Sequence, residues 1–372
     1  MERLLLEGAK AQRGRGEFLL PLARLHEELG RSDEALRTWR ALFFEDPSPE
    51  AAYQILRRGR GADTGAIRNK IEARFSEKAR AAVDDLLERG PTPPRTPLRH
   101  LAICGASYSG STLFGRFLDS FDGFHDIGES HWLIDQKELT DGKRQIDFFT
   151  APPSPTRRYC RQCGEDCRAL STDFRIELQL CRSQWYARIA ERLDKSILVS
   201  SDKNIAKYLS LDPVLRFDAV VLFKAPSAAW HSVYKRLLPA DADALEARLK
   251  RYMAIWIREY QNALAMKTTG KKLFLAFDTL VHDPERAVAR LLEACDLPRG
   301  QLDLAKPMKG RHSIGGNDAF VAASSKTEHI AIRSDDDTTL PNAHRRLIDE
   351  NTEMTALFDQ LSARSAAVFG GG

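Results

Sequence analysis

Residues 98–120 read LRHLAICGASYSGSTLFGRFLDS. The apolar run Leu98–Cys104 has the length and composition of a buried strand. Leu113, Phe114, Phe117 and Leu118 then recur at helical spacing from Ser111 to Ser120. Between them lies Gly105-Ala-Ser-Tyr-Ser-Gly110-Ser111-Thr112. A strand, a small-residue loop and a helix start in that order leave backbone N–H groups and the positive helix end open to an anion. The frame matches a nucleotide P-loop except that Ser111 stands where the lysine belongs. That lysine reaches the β- and γ-phosphates of a triphosphate, so its absence argues against a kinase or ATPase and for a smaller 5′ group.

Short apolar runs and helical segments alternate beyond this loop. Ser196–Ser200, Ala219–Phe223 and Lys272–Phe277 read as further buried strands, and Ala228–Leu238, Ala242–Met266 and Pro284–Cys295 as helices. The alternation predicts an α/β three-layer sandwich with a central parallel sheet. Cys295 falls on the core-facing stripe of the last helix. Pro91, Pro93, Pro94 and Pro97 make a stiff linker, dividing the chain into a helical region (1–90), the linker (91–97) and the P-loop domain (98–372).

The small all-α region in front carries Leu22, Leu25 and Leu29 on one helical stripe. Gly30 stops that stripe, and Ala35, Leu36, Trp39 and Phe43 resume it. LARLHEELGRSDEALRTWRALFFEDP (22–47) resembles one tetratricopeptide repeat. A single repeat cannot bury its face alone, so it packs on flanking helices (50–58, 67–88) or docks on the catalytic domain. A protein partner for residues 18–88 is one reading of this region, and simple packing is the other.

Composition bounds the rest. Of 372 residues, 43% are hydrophobic and 29% charged, as in an ordinary globular protein, and the net charge is +4. That excess suits a polyanionic small ligand but is too weak for a nucleic-acid binder. No run reaches the roughly 20 apolar residues of a membrane span, and the first residues do not read as a signal peptide, so the expected location is cytoplasmic. Six cysteines include the cluster Cys160, Cys163, Cys167 and Cys181. Four thiolates could hold a structural zinc; a disulfide and plain thiols are the other readings. Residues 141–158, rich in Pro, Thr and charge, read as a flexible loop.

SYSGSTLFGRFLDS resembles the 5′-phosphosulfate loop of sulfotransferases that use 3′-phosphoadenosine-5′-phosphosulfate (PAPS). Three later segments agree with that family in order. VVLFKAPSAAWHSVYKR is similar to the family's 3′-phosphate segment, with Lys224, Pro226 and Ser232 at its basic, proline and serine positions. AFDTLVHDPERAVARLLEACDLP resembles the strand–loop–helix that closes the sheet, and Gly315-Gly316-Asn317 a glycine–asparagine loop preceded by Lys309, Arg311 and His312. The resemblance covers about residues 98–350 and implies a PAPS donor with adenosine 3′,5′-bisphosphate as product and no metal requirement. It places the 5′ group on Ser107, Tyr108, Ser109, Gly110, Ser111 and Thr112, and the 3′-phosphate on Lys224 and Ser232, with Lys309 and Arg311 as further charge.

It also implies a base and a cation. Glu129 in DIGESHWL occupies the family's Gly-Glu setting and is the expected base, with His125 and His131 as rivals that can titrate near neutrality. Lys203 in ILVSSDKNIAKYL matches the lysine that meets donor or acceptor. The chain departs from the pattern at Tyr108, where the family has Arg or Lys, and at Lys224-Ala225, where it has Arg-Asp. Tyr108 removes a cation beside the sulfate, and its ring either packs on a ligand or hydrogen-bonds to the donor. The implied activity is sulfuryl transfer to a hydroxyl or amine of a glycan, lipid or small metabolite. The alternative is an inactive sulfotransferase-like binding protein acting through its N-terminal helices.

Overall fold

A computed structural model of the chain describes residues 2–10, 15–59, 63–133, 160–164, 166–204, 208, 211, 217–235, 237, 241–300, 302–303, 312–315 and 340–370. The chain forms two compact units. One comprises Met1–Leu98, His131–Ser196 and Tyr208–Leu215; the other comprises Arg99–Ser130, Ile197–Lys207 and Arg216–Gly372.

The first unit is helical. Arg15–Glu28, Ser32–Glu45, Pro49–Leu56, Asp63–Arg74 and Glu77–Arg89 follow one another, and Thr172–Leu180 and Trp185–Arg192 return from later in the chain. Each break has a local cause. Gly30 turns the chain at φ 70°, and Ser48 caps the next helix by accepting from Ala51 N at 3.2 Å, with Pro49 in its first turn. Ala23, Trp39, Phe43, Ile55 and Ile67 share one apolar cluster, while Tyr53, Val83, Leu86, Ile176 and Leu180 share another. Leu29 departs from its expected stripe: the helix ends at Glu28, and Leu29 is 44% exposed in the turn before Gly30. Trp39 Nε1 donates to Glu27 at 2.8 Å, and Gln54 Nε2 donates to the Leu180 carbonyl at 2.8 Å, so both buried polar atoms are satisfied.

The second unit is α/β. Its five strands, β1 (Arg99–Cys104), β2 (Phe124–Asp126), β3 (Ile197–Lys203), β4 (Asp218–Phe223) and β5 (Lys272–Ala276), lie in the order β2-β3-β1-β4-β5, all parallel. Leu101, Ile103, Val220, Leu222 and Leu275 face a core shared with Phe114, Phe117, Val288 and Leu291 from the helices Ser111–Asp119 and Pro284–Ala294. Phe223 points to the opposite face, against Tyr260 of the helix Ala242–Ala265 and Phe358 of the helix Thr352–Phe369. Helices therefore cover both faces, as a parallel sheet requires. The short edge strand β2 was not legible in the sequence, because three residues are too few to show a period.

β1 leads away to one side of the sheet and β4 to the other. That places a topological switch point between their carboxyl ends, where an open α/β sheet holds ligands.

One buried titratable group belongs to this core rather than to the switch point. His100 Nε2 lies 2.8 Å from Ser200 Oγ, and burial lowers its imidazole from 6.5 to about 3, against a weaker upward pull from Asp202. The unfolded chain binds a proton below its ordinary value while the folded chain does not. Stability is therefore intact above that value and falls as pH drops towards 3, by about 2 kcal/mol at pH 5. His100→Gln should remove that increment when urea midpoints at pH 7.5 and pH 5 are compared. An unchanged acid sensitivity would contradict the assignment.

Candidate functional site

The loop after β1 is built around three unusual backbone positions. Gly105 takes φ 140°, Tyr108 φ 70° and Gly110 φ 95°. At Gly105 a Cβ would lie 2.2 Å from the Leu222 carbonyl oxygen of β4, and at Gly110 it would lie 2.2 Å from the Phe277 ring. Only glycine permits both approaches. Tyr108, with a side chain, holds the left-handed conformation at a cost of roughly 1–3 kcal/mol. Strain of that kind persists where the surroundings fix the loop. Ser109 N donates to the Ala106 carbonyl at 3.3 Å, and Tyr252 Oη donates to the Ser107 carbonyl at 3.4 Å.

The helix Ser111–Asp119 starts directly on Gly110, whose carbonyl accepts from Phe114 N at 3.0 Å. Its first N–H groups have no partner within the helix, by geometry. Ser109 and Ser111 are buried, Tyr108 and Thr112 half-buried and Ser107 exposed. Ser109 Oγ is buried and makes no hydrogen bond among the described residues. A buried hydroxyl left open costs about 1–3 kcal/mol, and an anion seated in the loop would satisfy it.

Lys224 follows β4, on the other side of the switch point. It is buried, with Nζ 4.0 Å from the centroid of the Phe277 ring and 3.5 Å from Ser232 Oγ. Pro226 starts the next helix and Ser232 lies on it, its hydroxyl donating to the Ala228 carbonyl at 3.2 Å. The sequence-predicted pair is thus brought together. Phe277 was missed. Its ring touches Gly110 on the loop and Lys224 on β4's extension, joining the two parts of the site. The only sequence signal was an aromatic residue at the end of the β5 pattern, and that reads equally well as core.

Glu129 and Lys203 also meet. Lys203 Nζ donates to Glu129 Oε1, and the carboxylate is nearly buried while the lysine is about one-fifth exposed. Each is positioned by its backbone. Gly128 takes φ 70° and bridges to Ile314. Its carbonyl accepts from Ser201 N at 2.7 Å, and Glu129 N donates to the Ile314 carbonyl at 2.7 Å. On β3, Ser200 pairs with Ala102 but Lys203 pairs with Cys104, so β3 carries one extra residue between these rungs. This bulge, with Lys203 at φ 65°, re-aims the side chain. The sequence ended that strand at Ser200 and placed Lys203 just beyond it. The strand in fact runs to Lys203 because the bulge keeps it paired with β1. Ser130 Oγ donates to Asp202 at 2.7 Å beside the pair.

The rivals for the base are differently placed. His125 Nε2 lies 2.9 Å from the His312 carbonyl oxygen and therefore donates to it, while Nδ1 lies 3.9 Å from Asp119. His131 is buried, its ring tilted against that of Trp132, and part of the helical unit. Lys309, Arg311, Gly316, Asn317 and the loop 141–158 lie outside the described residues.

The cysteine cluster needs one correction. Cys160, Cys163 and Cys167 gather, but Cys181 does not join them. It ends the helix Thr172–Leu180, 3.7 Å from both Arg57 Nη1 and Ser183 Oγ, because that helix carries it into the apolar cluster with Tyr53 and Leu180.

No family model matches the chain, and no curated protein matches it. Among solved structures it is similar to the sulfotransferase domain from the curacin biosynthetic pathway, with 17% identity over 72% of this chain and 98% of that one, at a TM-score of 0.45. The sulfotransferase domain from the Synechococcus PCC 7002 olefin synthase gives 17% identity over 73% and 97%, also at 0.45. A sulfotransferase from Alicyclobacillus acidocaldarius gives 12% identity over 74% and 96%, at 0.37. No helix among the described residues is long and apolar enough to cross a membrane.

Proposed function

We propose that the chain is a PAPS-dependent sulfotransferase acting on a hydroxyl or amine. The observation that carries this reading is the pairing of a lysine-less phosphate loop with a buried lysine and its half-buried serine partner across one switch point. A nucleotide with a phosphosulfate at 5′ and a phosphate at 3′ needs two separate anion sites. The loop 105–112 serves the first, through helix-start N–H groups and Ser109. Lys224 and Ser232 serve the second.

In the transfer, an acceptor O–H or N–H attacks sulfur. The new bond to sulfur forms as the bond from sulfur to the 5′-phosphate oxygen breaks, and the electron pair stays on the phosphate. Glu129 takes the acceptor's proton, held in place by the backbone bond from its N–H to the Ile314 carbonyl. Lys203, released from Glu129 as that carboxylate is protonated, is then free to balance the charge on the departing phosphate. With Tyr108 in place of a loop cation, Lys203 is the charge assigned to that task.

Tyr108 also favours a second reading, in which the chain binds the nucleotide but does not turn it over. The N-terminal helices, which resemble a tetratricopeptide repeat, would then carry its role through a protein partner. Following labelled sulfate from PAPS into hydroxyl and amine acceptors separates the two. Transfer above the rate without protein supports the enzyme. Its absence, with bisphosphate binding intact, supports the binding protein.

A further inference from the structure

Three cysteines lie outside the chemistry described above. Cys160 and Cys167 are buried and Cys163 is exposed, and no disulfide joins any of the six cysteines. The sulfur atoms of Cys160, Cys163 and Cys167 all lie within 4.8 Å of one another. A disulfide would require about 2.05 Å. Around a tetrahedral zinc with bonds of about 2.3 Å, sulfur atoms stand roughly 3.8 Å apart. The three thiols are therefore spaced for a shared ion rather than for bonding to each other.

The backbone supports the same arrangement. Gly164, directly after Cys163, takes φ 69°, and its N–H donates to the Cys160 carbonyl at 2.9 Å. Cys160 and Gly164 form an isolated antiparallel bridge, so the Cys160–Cys163 segment is a closed turn presenting two sulfurs on one side. Among the described residues, nothing approaches a Cβ placed on Gly164 within 4 Å. The positive φ of the turn, and not crowding, is what calls for glycine there. A second loop brings Cys167, whose Sγ accepts from Leu170 N at 3.3 Å. Each thiol releases its proton to solvent as a divalent cation binds.

We propose that Cys160, Cys163 and Cys167 form a structural zinc site, with a fourth position filled by a nitrogen or oxygen donor. The site lies in the helical unit and does not rest on the reading of the donor pocket. Two of its ligands are buried, so its role is to hold the loop 160–170 rather than to activate water.

The test is metal analysis of the full chain, purified under reducing conditions without chelator. The expected result is about one equivalent of zinc, falling at least tenfold in Cys163→Ser. Cys163 is exposed, so this variant should keep its fold, which circular dichroism checks. Cobalt replacing zinc in the parent should give intense thiolate-to-metal charge-transfer bands that weaken in Cys163→Ser. Zinc retained in that variant, a reduced parent that takes up no zinc, iron or copper in place of zinc, or a mass two hydrogens short from a Cys160–Cys163 disulfide would each overturn the proposal.

Discussion

Glu129→Gln is expected to lower the rate of sulfuryl transfer by about 10²–10⁴-fold, while leaving affinity for adenosine 3′,5′-bisphosphate within a few-fold of the parent. Glutamine keeps the shape of the side chain and an oxygen for Lys203, but cannot take a proton from an acceptor. The backbone bonds that hold residue 129, from its own N–H to Ile314 and from Ser201 N to Gly128, do not involve the side chain and should survive. The loss should therefore appear in kcat and not in nucleotide binding. Activity that survives unchanged would remove Glu129 from its role. It would return attention to His125, whose Nδ1 lies 3.9 Å from Asp119.

Gly105→Ala is expected to be the most damaging single change in the phosphate loop. Its Cβ would lie 2.2 Å from the Leu222 carbonyl, a backbone atom of the neighbouring strand that has no rotamer to yield. The residue also sits at φ 140°, which adds roughly 1–3 kcal/mol for any side chain. Together these should cost more than about 3 kcal/mol and force β1 and β4 apart at the site. Gly30→Ala is the informative comparison. That position has φ 70° but no atom within 4 Å, so it should cost only about 1 kcal/mol. Equal losses for the two substitutions, measured as shifts of the urea midpoint, would show that the contact with Leu222 is not what matters.

The α/β character was legible because four of the five strands contain a short apolar run (Leu101–Cys104, Ile197–Val199, Ala219–Phe223 and Leu273–Ala276), and buried parallel strands leave that mark. The edge strand Phe124–Asp126 left none. The return of Thr172–Leu180 to the N-terminal helices was also hidden, since Gln54 and Leu180 are far apart in sequence and nothing local links them. At the site, Lys224 and Ser232 could be paired from their spacing on a strand end and the next helix. Their common neighbour Phe277 could not, because an aromatic residue after an apolar run has no periodicity to distinguish contact from core. The Glu129–Lys203 ion pair rests on a β-bulge at Ser201–Asp202, and a one-residue insertion in a ladder is invisible until the partner strand is known. Tyr108 was legible as a departure in charge. Its left-handed backbone was not.

In the proposed function the loop 105–112 and Lys224 together hold a nucleotide with separate 5′ and 3′ anions. Calorimetric titration of adenosine 3′,5′-bisphosphate, alongside ATP with magnesium, tests this. The expected result is saturable bisphosphate binding, little or no binding of ATP, and a loss of roughly 10–100-fold in bisphosphate affinity for Lys224→Ala, the worth of charge-assisted hydrogen bonds to one phosphate. A preference for ATP with magnesium, or bisphosphate binding indifferent to Lys224, would contradict it.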